Sequence, residues 1–214
     1  VKSIVNLALL RGMIGKPHAG LLPLRGHSNV QGLGSVGVTP TLKNRVMEKL
    51  ESELHVKMPE LPGMDTMECM RSALNGKIDL AFLQGGNLYA ANPDSQFAEQ
   101  SLNKIPFKIF LTTTLNKTHV ITTEGEYVIL PVAARDEEKQ PTTQESMFNF
   151  VRMSDGGIVR LDNVRSEVDI IAEIAHSVLG DHPVNWLGFK EHSHIRDAIA
   201  RTIPGFQKIS VIDE

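Results

Sequence analysis

The stretch Leu24-Arg-Gly-His-Ser-Asn-Val-Gln-Gly32 places two glycines, one guanidinium and four compact polar side chains (His27, Ser28, Asn29, Gln31) within nine residues. Such a segment has little to bury. Gly26 and Gly32 suit a close approach of backbone to a polar ligand. Arg25 has two open readings: its fork holds a small carboxylate, or it ties down its own loop through backbone carbonyls. A second loop, Gly85-Gly86-Asn87, follows a short apolar run. Its amides fit a phosphate or the edge of a purine, and equally fit a plain tight turn. Thr112, Thr113 and Thr114 offer hydroxyls after the next apolar run, unless β-propensity alone explains them. Two such loops in one chain suggest one large, anionic, multi-part ligand.

Composition limits the classes open to the chain. Its 214 residues make one domain or one and a half, with 41% apolar and 22% charged residues, the ordinary range for a globular protein. A net charge of −3 and the lack of a basic run argue against nucleic acid as a partner. No apolar stretch approaches about 20 residues, so no membrane span is expected. Val1-Lys-Ser-Ile has neither an initiator Met nor a signal-peptide pattern, and reads as the start of a piece cut from a longer protein. Cys69, the single cysteine, excludes an internal disulfide and any Cys-x-x-Cys site. It reads as a small buried apolar residue, and the composition suits a reducing cytoplasm.

The elements that position these loops follow from periodicity. Ile4 to Ile14 is nearly continuous apolar and predicts a largely buried helix stopped by Gly15-Lys-Pro17. Residues 16–38 read as loop. Thr39-Pro40 reads as a helix start, with Leu42, Val46, Leu50 and Leu54 as one apolar stripe. Asp65-x-x-Glu68 is a capping box opening a helix with Met67, Met70 and Leu74 inward and Asn75-Gly76 as its stop. Ile78–Leu83, Phe107–Leu111 and Tyr127–Val132 read as buried strands, with a helix at Ser95–Leu102 between the first two. This rhythm predicts an open, mostly parallel sheet covered on both faces, a three-layer αβα fold. Ligands in such sheets sit beyond the carboxyl ends of the strands, where Gly85-Gly86-Asn87, Thr112–Thr114 and the loop after Pro131 should gather. After residue 134 the character changes. Asp136-Glu-Glu-Lys139 reads as a solvated turn. Phe148–Met153 and Ile158–Leu161 around Ser-Asp-Gly-Gly157 read as a β-hairpin. A helix capped by Ser166-x-x-Asp169 should turn Val168, Ile171, Ala172, Ala175 and Leu179 inward, and a last helix covers Ser193–Ile203. Residues 1–134 thus form the α/β part and 135–214 a hairpin and helical extension. The first helix and the hairpin are expected to expose apolar surface. Glu191, His192 and His194 crowd that last helix, but residues two apart do not face one another, so a solvated face is preferred to a metal site.

Five segments together resemble a known family. Leu10-Arg-Gly-Met-Ile-Gly-Lys-Pro-His-Ala-Gly20 and Pro23-Leu-Arg-Gly-His-Ser-Asn-Val-Gln-Gly32 are similar to the large subunit of molybdopterin-dependent oxidoreductases, in the formate-dehydrogenase-like branch. Leu83-Gln-Gly-Gly-Asn87, Asn116-Lys-Thr-His119 and Val128-Ile-Leu-Pro-Val-Ala-Ala-Arg135 fall in the same order. The resemblance covers residue 1 to about residue 180. It implies a bis(molybdopterin guanine dinucleotide) cofactor carrying molybdenum or tungsten. It also implies that Gly85, Gly86, Asn87 and Thr112–Thr114 meet a guanosine and diphosphate portion, that Gly26, Ser28, Asn29, Gln31 and Gly32 lie on the pterin side, and that Arg25 orients a small anionic substrate such as formate.

The resemblance also marks what this sequence lacks. The family's amino-terminal iron–sulfur region, its cysteine or selenocysteine metal ligand followed by histidine, and its carboxyl-terminal β-barrel have no counterpart here, and Cys69 has no matching context. The chain therefore resembles an internal fragment that is inactive alone, with the rest of its own polypeptide and an electron-transfer protein as expected partners. The competing reading is a non-catalytic α/β module that binds a nucleotide or partner and keeps the scaffold. An ordinary nicotinamide-nucleotide domain is disfavoured, because G-x-G-x-x-G and the Walker lysine are both missing.

Overall fold

The computed structural model describes residues 1–39, 42–148 and 150–213. Nine helices and five strands lie among them. α1 (Lys2–Leu10) is followed by α2 (Val30–Ser35), α3 (Asn44–Leu54) and α4 (Thr66–Leu74). β1 (Leu80–Gln84), α5 (Leu88–Ala91), α6 (Ser95–Asn103), β2 (Phe107–Thr112), α7 (Lys117–Ile121) and β3 (Glu126–Pro131) complete the α/β part. β4 (Thr142–Glu145), β5 (Val151–Ser154), α8 (Glu167–Leu179) and α9 (His192–Thr202) close the chain.

β1, β2 and β3 form a parallel sheet in that order. Two apolar clusters cover its faces. Met70 and Ala73 of α4 meet Ala98 and Leu102 of α6 and Ile105, with Ala81 and Leu83 of β1 against them. Leu111 of β2, Val132 and Ile170 of α8 form the other cluster, with Ile109, Leu130, Ile171 and Ile174 against it. This is the expected three-layer α/β architecture, with an antiparallel hairpin and carboxyl-terminal helices added.

Local chemistry explains the element ends. At α4 the Glu68 N–H donates to Asp65 Oδ1 and the Asp65 N–H to Glu68 Oε2, both at 2.8 Å, the capping box read from the sequence. α1 ends earlier than expected. Gly12 adopts φ +61°, the Gly12 N–H reaches the Leu9 carbonyl and the Met13 N–H the Ala8 carbonyl. That pair of bonds is a Schellman closure, which a left-handed glycine makes cheap. α3 begins at Asn44 with Lys43 at its cap. Pro40, half of the expected start, lies outside the described residues.

Several expectations are corrected. No residue of α1 is buried, and Leu10 is 86% exposed: apolar continuity set the helix but could not supply an opposing surface. Residues 16–38 are not all loop, since α2 forms within them. β1 is parallel but not buried. It lies at the sheet's edge with Leu80 and Phe82 exposed, so only β2, the central strand, is mostly covered. The hairpin pairs differently: Val151–Ser154 joins the upstream Thr142–Glu145 and not Ile158–Leu161. The Gly157 N–H instead bonds the Glu138 carbonyl at 2.6 Å and the Ile158 N–H the Asp136 carbonyl at 3.0 Å, which uses up the segment expected to return. In α8 the buried residues are Ile170 and Ala172, while Leu179 is exposed. Ser166 caps it by accepting from the Val168 N–H at 3.1 Å. Cys69 is half-buried rather than buried.

Candidate functional site

Arg25, His27, Ser28, Asn29 and Gln31 line a cavity of about 360 Å3 together with residues of the β4–β5 hairpin, among them Gln144, Glu145, Phe148, Phe150 and Arg152. The loop is held in one shape. Asn29 adopts a left-handed φ of +60°, which asparagine tolerates better than most residues. Its Oδ1 accepts from the Glu145 backbone N–H at 2.9 Å. Gly32 follows one helical turn on, and a Cβ there would stand 2.1 Å from Asn29 Oδ1. Gly32 is therefore required by the neighbouring side chain and not by its own torsions. A Cβ at Gly26, by contrast, would meet nothing within 4 Å.

The hairpin side of the cavity is fixed from behind. Arg135, just past the carboxyl end of β3, donates from Nε to Thr142 Oγ1 at 3.2 Å and from Nη2 to the Thr143 carbonyl at 3.1 Å. Burial lowers its pKa, and the nearby Arg152 charge adds to the effect. Gln144 and Arg152 are cross-strand partners, so they project on the same face, as such pairs do. Among the described residues the side chains of Arg25 and Arg152 have neither a hydrogen bond nor an ion pair. That outcome disposes of Arg25 as a clamp for its own loop. Glu145 Oε2 is buried without a partner, an uncommon state for a carboxylate oxygen.

The second loop sits at the carboxyl edge of the sheet. The parallel register Gln84↔Leu111 and Thr112↔Pro131 brings the three strand ends together. Gly85 and Gly86 have φ of +65° and +78° with open space where a Cβ would be. The Gly85 N–H is spent on the Leu111 carbonyl at 2.7 Å. Asn87 caps α5, its Oδ1 accepting from the Ala90 N–H at 3.2 Å and from Thr118 Oγ1 at 2.8 Å. Asn116 Nδ2 donates to the Gly86 carbonyl at 2.8 Å. The Gly86 carbonyl is thus bound inward. Thr112 is buried and donates its hydroxyl to the Thr114 carbonyl at 2.7 Å, so it is not free to meet a ligand, while Thr113 and Thr114 are exposed at the edge.

Asn116 and His119 lock the turn that leads into α7. The Asn116 N–H donates to His119 Nδ1 at 3.0 Å, and the His119 ring stands edge-on to Phe110 with centroids 4.9 Å apart. Burial lowers the His119 pKa, favouring the neutral ring that can accept this bond. Sequence reasoning missed Gln144, Glu145, Phe148 and Arg152, because their partner loop lies more than a hundred residues away. It also missed α5 and α7, for which Asn87 and Asn116 as caps were the available signal.

Two other polar clusters prove structural. His192 is buried and its Nδ1 lies 3.2 Å from the Pro141 carbonyl, while His194 Nδ1 lies 2.8 Å from the Gly188 carbonyl, so the solvated-face reading fails for His192. Asp136–Lys139 is not a solvated turn either: Glu138 is buried and Asp136 pairs with Arg160 at 2.9 Å. Among the described residues no helix is long and apolar enough to cross a membrane.

The fold and loops define an α/β chain with two polar loops, and several of its relatives are named as oxidoreductases. No family model matches it. It is 35% identical over 214 residues to an uncharacterised oxidoreductase of Mycobacterium tuberculosis, an alignment covering 96% of this chain and 27% of that protein. It is 33% identical over 215 residues to protein YdeP of Escherichia coli, covering 96% of this chain and 28% of that protein. With a protein of Staphylococcus haemolyticus provisionally named a formate dehydrogenase, identity is 28% over 220 residues, covering 97% of this chain and 21% of that protein. The chain spans about a quarter of the length of these relatives. Along almost all of its own length it is similar to a segment of longer proteins, some of them named oxidoreductases.

Proposed function

We propose that the chain is the cofactor-binding part of a molybdopterin-dependent oxidoreductase, one that carries out two-electron oxidation of a small anion such as formate. The observation that carries this reading is Arg25. It stands unpaired at a polar cavity, on a loop locked by Asn29 and Gly32, in a chain homologous to oxidoreductases. A guanidinium held there can take both oxygens of a carboxylate.

The residues fit the group that the resemblance implies. Gly85 and Gly86 offer backbone with no side chain in the way, which suits a diphosphate. Thr113 and Thr114 stand exposed at the same edge, and Ser28, Asn29 and Gln31 face the Arg25 cavity. Gly85, Gly86, Asn87, Thr113 and Thr114 would hold a nucleotide portion, and Ser28, Asn29 and Gln31 a pterin portion. When bound, the group supplies the molybdenum or tungsten centre that takes the electron pair. Arg25 binds and orients the anion. The remaining metal ligands, the electron acceptor and an iron–sulfur cluster would come from the rest of the polypeptide and its partner.

Metal and pterin content of the full-length protein, purified from its own host, tests the reading. Molybdenum or tungsten near one atom per chain with two pterins is the expected result; a folded protein with neither refutes it and leaves a binding module. In the loaded protein, Arg25→Ala should cut kcat/KM for the anion about ten- to a hundredfold, the worth of one charge-assisted hydrogen-bonded contact, without loss of cofactor. Unchanged turnover would remove Arg25 from catalysis.

A further inference from the structure

Arg25 also lines a second, larger cavity, of about 600 Å3. The two cavities share Arg25 and Gln31, so they adjoin at the guanidinium. The charged residues lining the second one are Arg25, Lys43 and Arg45, all cations. Glu145 lines the first cavity, whereas no carboxylate lines the second. Among the described residues the side chains of Lys43 and Arg45 make neither a hydrogen bond nor an ion pair, and both residues are exposed. Three cations without a counter-charge thus share one concavity in a chain whose net charge is −3. The walls between them include Val46, Ile203 and Phe206, the first two buried. A cleft lined by one sign of charge, with apolar walls, focuses its field and raises the local concentration of counter-ions.

The placement of these cations also runs against the helix that carries them. α3 starts at Asn44 with Lys43 as its cap, and no acidic residue lies in its first turn. Lys43 and Arg45 therefore sit at the positive end of the helix dipole, where carboxylates are favoured and cations are not. Local stability opposes that arrangement, and the helix end adds to the positive field of the cavity.

We propose that this cavity is the approach route of the anionic substrate, in which Lys43 and Arg45 gather small monoanions in front of Arg25. They act through their field and hold no fixed pose, which suits exposed side chains. Neither is a catalytic residue, and Arg25 keeps the carboxylate. The inference rests on the proposed function for the identity of the anion and adds to it a path and two steering residues.

The experiment uses the full-length protein as wild type, as the double variant Lys43→Ala with Arg45→Ala, as the charge-preserving Lys43→Arg with Arg45→Lys, and as the reversal Arg45→Glu. One readout is the excess NMR linewidth of dilute chloride, which reports fast-exchanging chloride beside clustered cations and needs no metal centre. The other is kcat and KM for formate from low salt to about 1 M, where the Debye length falls to about 3 Å. The linewidth should shrink in the double-alanine and reversal variants and stay at the wild-type value in the charge-preserving one. In the loaded enzyme the double-alanine KM should rise about tenfold at low salt, the lower end of what a charged cleft supplies, with kcat unmoved. The gap should close at high salt. Arg45→Glu places a carboxylate at the positive end of α3, so Tm should hold or rise while KM rises; a structural arginine would lower Tm instead. An unchanged chloride linewidth overturns the proposal whatever the metal content, and so does a loss of activity that is independent of salt or that falls on kcat. The two readings fail separately. A folded wild type without metal or pterin, whose chloride response depends on Lys43 and Arg45, sinks the proposed function and leaves an anion-gathering cavity. A loaded enzyme with the same KM and salt dependence in every variant sinks this inference alone.

Discussion

Gly32→Ala should loosen the candidate site through a side chain that it does not replace. A Cβ at position 32 would stand 2.1 Å from Asn29 Oδ1, where ordinary contact begins at 3.4 Å. The amide must therefore retreat by about 1.3 Å, the difference of those two distances. Its bond to the Glu145 N–H is 2.9 Å long, and most retreats of that size stretch it past hydrogen-bonding range. The half-buried N–H then loses its partner, at a cost of roughly 1–3 kcal/mol. At about 1.4 kcal/mol per factor of ten, the Glu145 amide should exchange with solvent about 5- to 150-fold faster. Hydrogen exchange with mass spectrometry over the β4 peptide of the full-length protein reads this directly. Asn29→Ala alone should give the same acceleration. On that background Gly32→Ala should reverse sign and stabilise α2, because alanine is better than glycine in a helix by about 0.8–1.0 kcal/mol. An equal and additive loss in both backgrounds would refute the reasoning, since the two positions would then be uncoupled.

Two further outcomes concern pH. Glu173 accepts from Arg165 at 2.7 Å and from Lys190 at 2.5 Å, and these bonds hold its pKa at about 2 against an ordinary 4.5. The pKa is depressed on folding, so this contribution is present above pH 4.5 and is lost as pH falls toward 2. Glu173→Gln should flatten the fall in Tm across that window, and an unchanged profile would show the bridges to be screened. His119 is also depressed, by burial. The unfolded chain therefore takes the proton first, and stability declines as pH drops below the ordinary value near 6.5. Protonation also removes the acceptor for the Asn116 N–H, so exchange in the 114–119 loop should accelerate below that pH in the wild type and not in His119→Gln.

Much of this molecule was legible in its sequence because the deciding interactions are local. The Asp65–Glu68 box closes within four residues, and Gly85-Gly86 turns at positive φ directly after β1. The parallel sheet followed from short apolar runs separated by helices. The composition and motifs of the Arg25 loop marked it as a candidate site, and the structure places it at a cavity. Tertiary structure alone decided the rest. Whether an apolar strand is buried depends on its rank in the sheet, which is why β1, at the edge, is exposed and β2 is not. The fully buried Lys108 in β2 is possible only because its Nζ reaches the Ile105 and Glu124 carbonyls at 2.9 and 2.6 Å, and no period reveals that. Hairpin partners are set by which backbone groups remain free, and Glu138 and Asp136 had taken the expected strand. The cavity itself joins Arg25 to Arg152 through a bond between residues 29 and 145. A contact over that separation carries no periodic or spacing signal; it exists only once the chain has folded.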